Sequence, residues 1–226
     1  MKRILAVFLF VTGATALFAA SDYFTRGEAL FVQNKPQDAR PLLESALTDD
    51  PSNEKTYLYL GIIYQQLGDT QKAIDVLKKG LDVSTTYKEL FYYNIGNDLY
   101  AQRDFAGAEA MYSSAVGARK DLAEGYLNRA NARLKQQNLD GSLSDYAYFL
   151  QLAPQDPQRP AIEKLMGLLR KVQDQKEAAR QAELARQQAL LNDVQKGLTN
   201  AGDSTKNLSV ESINGQTDPV NVDIKD

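Results

Sequence analysis

The 226-residue chain has no cysteine, no histidine and no tryptophan. Without Cys and His it lacks the ligands of the usual zinc, copper and iron–sulfur centres, and it has neither a thiolate nucleophile nor a His-based triad. No disulfide can form, which leaves the redox compartment open. Positive charge is scarce as well: 26 Lys and Arg stand against 29 Asp and Glu, a formal net charge of −3. Such a chain carries no basic field to hold a phosphate backbone, so nucleic acid is excluded as the expected partner. The carboxylates are scattered over amphipathic stretches as a solvated face and show no paired arrangement suited to acid–base chemistry. The expectation is a protein with no catalytic residue, no cofactor, no metal and no small-molecule substrate.

What the sequence does contain is helical periodicity. In residues 57–80, Tyr57, Leu60, Gly61 and Tyr64 fall at helical spacing, and so do Ala73, Ile74, Leu77 and Gly80. Between the two sets Gly68 supplies a helix stop and Asp69 a helix start. The pattern is a helical hairpin, and its small residues mark where two backbones come close. It recurs about every 34 residues: Gly61 has counterparts in Gly27, Gly96 and Ala130, and Ala73 in Ala39, Ala108 and Ser142. Tyr64 corresponds to Leu30, Leu99 and Arg133, and Leu77 to Leu43, Tyr112 and Tyr146. Pro51 and Pro154 close the first and last units.

A bulky residue, Leu-Gly, a Tyr, then Ala and a terminal Pro at this period resembles the tetratricopeptide repeat family. The resemblance implies an all-α fold, an α-solenoid of four helix hairpins at about 20–53, 54–87, 89–122 and 123–156. Before them, residues 1–20 carry Lys2 and Arg3, an apolar block and small residues, the layout of a secretory signal. Uncut, residues 4–20 would form a membrane tether; cut or uncut, the leader places the repeats in the periplasm of a bacterium. Pro41 falls inside a helix of the first repeat, where a bend is expected. In the fourth repeat Arg133 takes the place of an aromatic, which predicts looser packing or a more open face there.

A solenoid needs a cap on its last repeat. Ile162, Leu165, Leu169 and Val172 recur at 3-4-3 spacing, so residues 157–198 are expected to form a capping helix extended into a long one. Leu184, Leu191 and Leu198 lie seven apart with Gln187 and Gln188, then Val194 and Gln195, between them, a single seam suited to weak self-association as a coiled coil. Residues 199–226 are polar and dotted with Gly and Asn, which predicts a disordered tail. Two apolar islands in it, Leu208, Val210 and Ile213, then Val220, Val222 and Ile224, could add a strand to a partner's sheet.

In the tetratricopeptide family the first helices of successive repeats line a groove that binds peptide segments. Carried over, the resemblance implies a partner-binding groove of Phe24 and Phe31, Leu58 and Ile62, Tyr93, Asn97 and Tyr100, and Leu127, Asn131 and Leu134. The floor would be aromatic and aliphatic with a few amides, able to hydrogen-bond a peptide main chain or only to bridge neighbouring helices. One subfamily clamps C-terminal carboxylates between Lys, Arg and two Asn. Asn97 and Asn128 match the amides, but Tyr93 stands where the first Lys should be, so that clamp is incomplete. The expected function is a non-enzymatic adaptor of the bacterial cell envelope that holds a peptide or helix of a protein partner. The alternatives are a self-associating structural envelope protein and a periplasmic assembly chaperone.

Overall fold

The structure, a computed structural model, describes residues 11–214, with side chains for 22–201. Among the described residues the chain forms nine α-helices and no strand. Eight pair in sequence as hairpins: α1 (Val11–Val32) with α2 (Pro36–Asp49), α3 (Glu54–Gln66) with α4 (Thr70–Val83), α5 (Lys88–Ala101) with α6 (Phe105–Ala118), and α7 (Ala123–Lys135) with α8 (Leu139–Leu152). The ninth, α9 (Arg159–Asn214), begins beyond a Pro-rich link. Contacts divide the chain into one unit ending at Leu169, which holds the hairpins, and a second from Arg170 onward.

The four hairpin turns are built alike. One residue in each sits in the left-handed region: Asn34, Gly68, Arg103 and Gln137, with φ of 56°, 79°, 66° and 63°. The next amide then donates back to a carbonyl in the last turn of the first helix, as Asp69 N does to Tyr64 O and Asp104 N to Leu99 O, both at 2.9 Å. Reversed chain direction and satisfied terminal carbonyls come from the same geometry. Gly tolerates it without strain, whereas Asn, Arg and Gln accept it at some cost. The second helix is then capped by a side chain in three hairpins: Asp69, Asp104 and Asn138 accept from the amides of Lys72, Gly107 and Gly141.

Packing follows the small-residue register. A Cβ placed on Gly27 would lie 2.7 Å from Leu43, and one on Gly96 would lie 2.7 Å from Tyr112, so each second helix lays a bulky residue over a first-helix Gly. In the last repeat Ala130 and Tyr146 are both buried in one cluster with Phe149 and Leu150. The clusters run from one repeat into the next, as when Phe91 and Ile95 of α5 bury against Tyr57, Leu58 and Leu77. The end is closed by Ile162, Met166 and Leu169 of α9 against Tyr146 and Phe149. Val172, expected on this stripe, is exposed: the apolar contact ends at Leu169.

Helix α1 already covers residues 11–20, where the described residues start, and residues 1–10 of the leader lie outside them. Among the described residues no helix is long and apolar enough to cross a membrane. Helix α2 continues through Pro41 to Asp49, with Pro41 inside it as the sequence placed it, since one missing backbone donor removes only one ladder bond. The tail expected to be disordered from Thr199 is helical through Asn214. Helix once nucleated propagates at little cost, and between Leu198 and Asn214 there is no Pro and a single Gly, Gly202, which the helix passes. Leu208, Val210 and Ile213 therefore lie on helix, while residues 215–226 lie outside the described residues.

In the second unit every residue in 174–201 is exposed. The helix there is held by local pairs: Arg180 donates twice to Glu177 at 2.9 and 2.8 Å, Gln181 to Glu177 at 2.7 Å, and Gln187 to Glu183 at 3.1 Å. Leu184, Leu191 and Leu198 are exposed at 49%, 63% and 70%, a bare seam.

Candidate functional site

The first helices of the repeats differ in what they offer. In repeats three and four the same bond is made twice: the Tyr112 hydroxyl of α6 donates to Asn97 Oδ1 at 2.9 Å, and the Tyr146 hydroxyl of α8 donates to Asn131 Oδ1 at 2.6 Å. Asn128 joins them across the repeat boundary, donating from Nδ2 to Asn97 Oδ1 at 3.0 Å and to the Tyr93 hydroxyl at 3.1 Å. Asn97, Asn128, Asn131 and Tyr112 line a cleft of about 250 Å³ with Tyr100. A second cleft of about 220 Å³ shares Asn131 and continues over Leu127, Tyr146 and Gln158 to Ala161, Ile162 and Leu165. No charged side chain lines either one. Asn131 Nδ2 has no hydrogen-bond partner among the described residues, so the cleft keeps an amide donor to offer. Burial first, then neighbouring tyrosines, pushes the Tyr112 phenol up, so it remains a neutral donor at any ordinary pH.

Repeats one and two offer much less. Phe24 and Phe31 stack on Tyr59 with ring centroids 6.1 and 4.6 Å apart, and Tyr59 donates to Glu28 at 2.8 Å. Leu58 is buried among Tyr57, Leu77 and Phe91, and Ile62 packs on the same cluster. Over this half, Phe24, Phe31 and Ile62 are engaged by neighbouring side chains and stay half-buried, whereas Leu58 is fully covered. Leu58 in particular is core, because the neighbouring helix α5 covers it. Tyr93 is half-buried against Tyr112, with ring centroids 6.0 Å apart, and Leu134 packs on the cluster under α8. Of the ten residues carried over from the family, Asn97, Tyr100, Leu127 and Asn131 line the two clefts. Tyr112, Tyr146 and Asn128 join them, with Gln158, Ala161, Ile162 and Leu165 beyond, and the signal for the phenols was the equal spacing of Asn97 to Tyr112 and Asn131 to Tyr146. The amides prove to bridge helices through their carbonyl oxygens and to face the cleft as well.

Of the two alternatives for the fourth repeat, Arg133 does not bring looser packing, because it is held in an ion-pair network. Asp145, 3% exposed, is held by Arg129 through Nε at 2.8 Å and Nη2 at 2.7 Å, and by Arg133 Nη1 at 2.9 Å. Arg133 Nε reaches on to Glu109 of α6 at 2.8 Å, and Gln136 donates to the same carboxylate at 2.7 Å. The Asp145 bond, outweighing desolvation, raises Arg129 further. Repeats three and four are thus fastened to each other and internally by ion pairs set behind the cleft.

A second polar fastening replaces the proline missing from repeat two. The Glu54 carboxylate accepts from Ser84 Oγ at 2.6 Å, Thr85 N at 2.9 Å, Thr85 Oγ1 at 2.8 Å and Thr86 N at 3.1 Å. The Ser84 bond first, and the Thr85 and Thr86 bonds after it, against a smaller desolvation cost, bring its pKa from 4.5 down to about 2. A larger hollow of about 380 Å³ between α2 and α4 is lined by both signs of charge, Glu44 and Asp75 with Lys72 and Lys79, and Tyr64 donates across it to Glu44 at 2.6 Å. Among the described residues no group of three carboxylates is placed to hold a metal ion.

Two family models described as tetratricopeptide repeat match residues 30–86 and 93–157, together more than half of the chain. Among curated proteins, tetratricopeptide repeat protein 16 of Macaca fascicularis is 30% identical over 131 residues, covering 55% of this chain and 15% of that protein. This chain spans about a quarter or less of the length of the curated relatives it matches. Among solved structures, MamA from Desulfovibrio magneticus RS-1 superposes with a TM-score of 0.62 at 18% identity, covering 72% of this chain and 90% of that one. The first repeat domain of Spaghetti (RPAP3), bound to the HSP90 peptide SRMEEVD, gives a TM-score of 0.50 at 23% identity, covering 55% and 96%.

Proposed function

The chain belongs to the tetratricopeptide repeat family, and from that premise we propose that it is a non-enzymatic protein–protein interaction adaptor whose cleft in repeats three and four seats an uncharged, extended segment of a partner. The observation that carries this reading is the continuous lining of Asn97, Tyr100, Asn128 and Asn131, neutral throughout and with an amide donor to spare. An amide can serve both the N–H and the C=O of a peptide main chain, and a site built this way rejects a formal charge it cannot pair. A C-terminal carboxylate of the kind on the peptide bound to Spaghetti would find no cation in the cleft. The leader-like residues 1–20 support a setting in the cell envelope, with the repeats exported or tethered through residues 4–20. The bare Leu184, Leu191 and Leu198 seam supports weak self-association beside the adaptor role.

The test places a photo-crosslinking residue at Tyr100 in the full chain, captures the partner in intact cells, and repeats the capture with N97D/N131D. Asp keeps the oxygen that accepts from Tyr112 and Tyr146, replaces the amide donor with a second oxygen, and so brings charge into the cleft while withdrawing its free donor. Capture is expected to fall at least tenfold while the melting midpoint moves by only a few degrees, as for other substitutions that leave packing intact. Undiminished capture would place the partner elsewhere.

A further inference from the structure

Two carboxylates are buried in the repeats, Asp98 and Asp145, each 3% exposed. Asp145 is forked by Arg129 and also meets Arg133, whereas Asp98 has no cation, and its Oδ2 is buried without any hydrogen-bond partner. Asp98 lies one turn after Ile95 on α5, on the side where the third repeat packs into the second. The equivalent residues of the neighbouring repeats are Ile63 and Ala132, both 0% exposed, so the fold itself asks only for an apolar residue here. Nor does the charge belong to the cleft described above, although Asp98 directly follows the cleft residue Asn97.

We propose that Asp98 is a proton-operated joint between the second and third repeats: as the neutral acid it is accommodated in the seam, and as the carboxylate it loosens the seam. Removing an unpaired carboxylate from water is costly, and such a group either neutralises or weakens the structure around it. Burial raises the Asp98 carboxyl from 3.8 to about 6, opposed only by the Gln65 amide of α3. The surrounding elements supply no counter-charge. From α6 comes the Tyr112 phenol, which Asp98 helps to push up, and Glu109 of that helix is engaged by Arg133 of α7. Arg129 of α7 is held by Asp145. On α4, Lys72 pairs with Asp69, while Asp75, Lys78, Lys79 and Asp82 are exposed. On α3, Glu54 is tied to the Ser84–Thr86 turn and Lys55 is exposed; on α5 itself, Lys88 is exposed and Glu89 pairs with Arg119.

The sign follows from the raised value. An acid whose folded pKa exceeds its unfolded one contributes its full stability below about 3.8 and loses it as pH rises through about 6. The seam is therefore tighter in mild acid and looser above neutrality, and the cleft helix α5 moves with it. Because the chain has no histidine, no other side chain ordinarily titrates between pH 5 and 8, which makes the response easy to assign.

The experiment compares thermal unfolding of the full chain and of D98N from pH 4.5 to 8, with hydrogen exchange of α3 and α5 at both ends of that range. The wild-type midpoint is expected to fall as pH rises through about 6 and exchange in α5 to quicken, while D98N stays level and at pH 7.5 is the more stable. Linkage limits the gain to about a hundredfold in the folding constant. Parallel pH dependences of the two proteins would overturn the proposal. A carbon-detected titration of the wild-type Asp98 carboxyl decides independently of any variant: a midpoint near 6 sustains the joint, and one at the ordinary aspartate value sinks it.

Discussion

Glu54 does at one residue what a proline does at the end of other repeats. Its carboxylate gathers Ser84, Thr85 and Thr86 into a fixed turn, so the chain leaves α4 and enters α5 at a set angle. Replacing it with Ala is expected to cost about 1–2 kcal/mol, the worth of a lost multi-donor turn acceptor that still borders solvent, measured by urea unfolding at pH 7. The depressed pKa gives the acid dependence its sign: the contribution is complete above about 4.5 and disappears as pH falls toward 2. E54Q is expected to lack that part of the acid transition, which separates it cleanly from the Asp98 response at higher pH. A turn as exposed as this could hardly be singled out from Ser84, Thr85 and Thr86 alone, since such runs are common in loops and Glu54 is remote along the chain.

At the level of elements, repeat four differs from its siblings by exchanging packing for ion pairing. Where repeat two has Leu60, Tyr64 and Val76, repeat four has Arg129, Arg133 and Asp145 at the equivalent positions. Taken singly, Arg133 reads as a poor fit; taken with Asp145 and Glu109 it closes the joint between α6, α7 and α8. Removing Arg129 alone leaves a buried carboxylate short of its best partner and is expected to cost about 3–5 kcal/mol. The triple variant R129L/R133Y/D145V, which restores the apolar set of repeat two, should recover most of that loss, because well-packed apolar groups replace buried ion networks at little net cost. Chemical denaturation of the single and triple variants checks both, and a triple as unstable as the single would mean that the network also shapes the backbone.

For the molecule as a whole, stability in a repeat array is close to a sum of nearest-neighbour terms, and the last repeat depends on its cap. Here the cap is the first part of α9, through Ile162, Met166 and Leu169. A chain ended after Gln173 keeps every one of these residues, so its repeats are expected to melt within a few degrees of the full chain while the helical signal drops. A chain ended before Arg159 exposes Tyr146 and Phe149 and should lose at least about 3 kcal/mol, the burial of two to three large apolar side chains. In the full chain, residues 174–201, a helix sustained only by local pairs, should exchange their amide hydrogens far faster than α3 to α8.

The repeat itself was written in the sequence, because its signal is periodic and redundant. Gly27, Gly61 and Gly96, with Ala130 after them, mark the close approach of paired helices wherever they occur, and Gly68 with Asp69 spells out the turn. Much of the site could not be read that way. Position within a repeat tells which way a side chain leaves its helix but not whether the next helix covers it, so Leu58 and Asn131 look equivalent until α5 buries one and leaves the other at a cleft. Arg133 and Asp98 make the point from opposite sides. Both are charges at apolar positions, and what separates a fastened joint from an unpaired carboxyl is whether a counter-charge arrives from a helix distant in sequence, which only the folded arrangement decides.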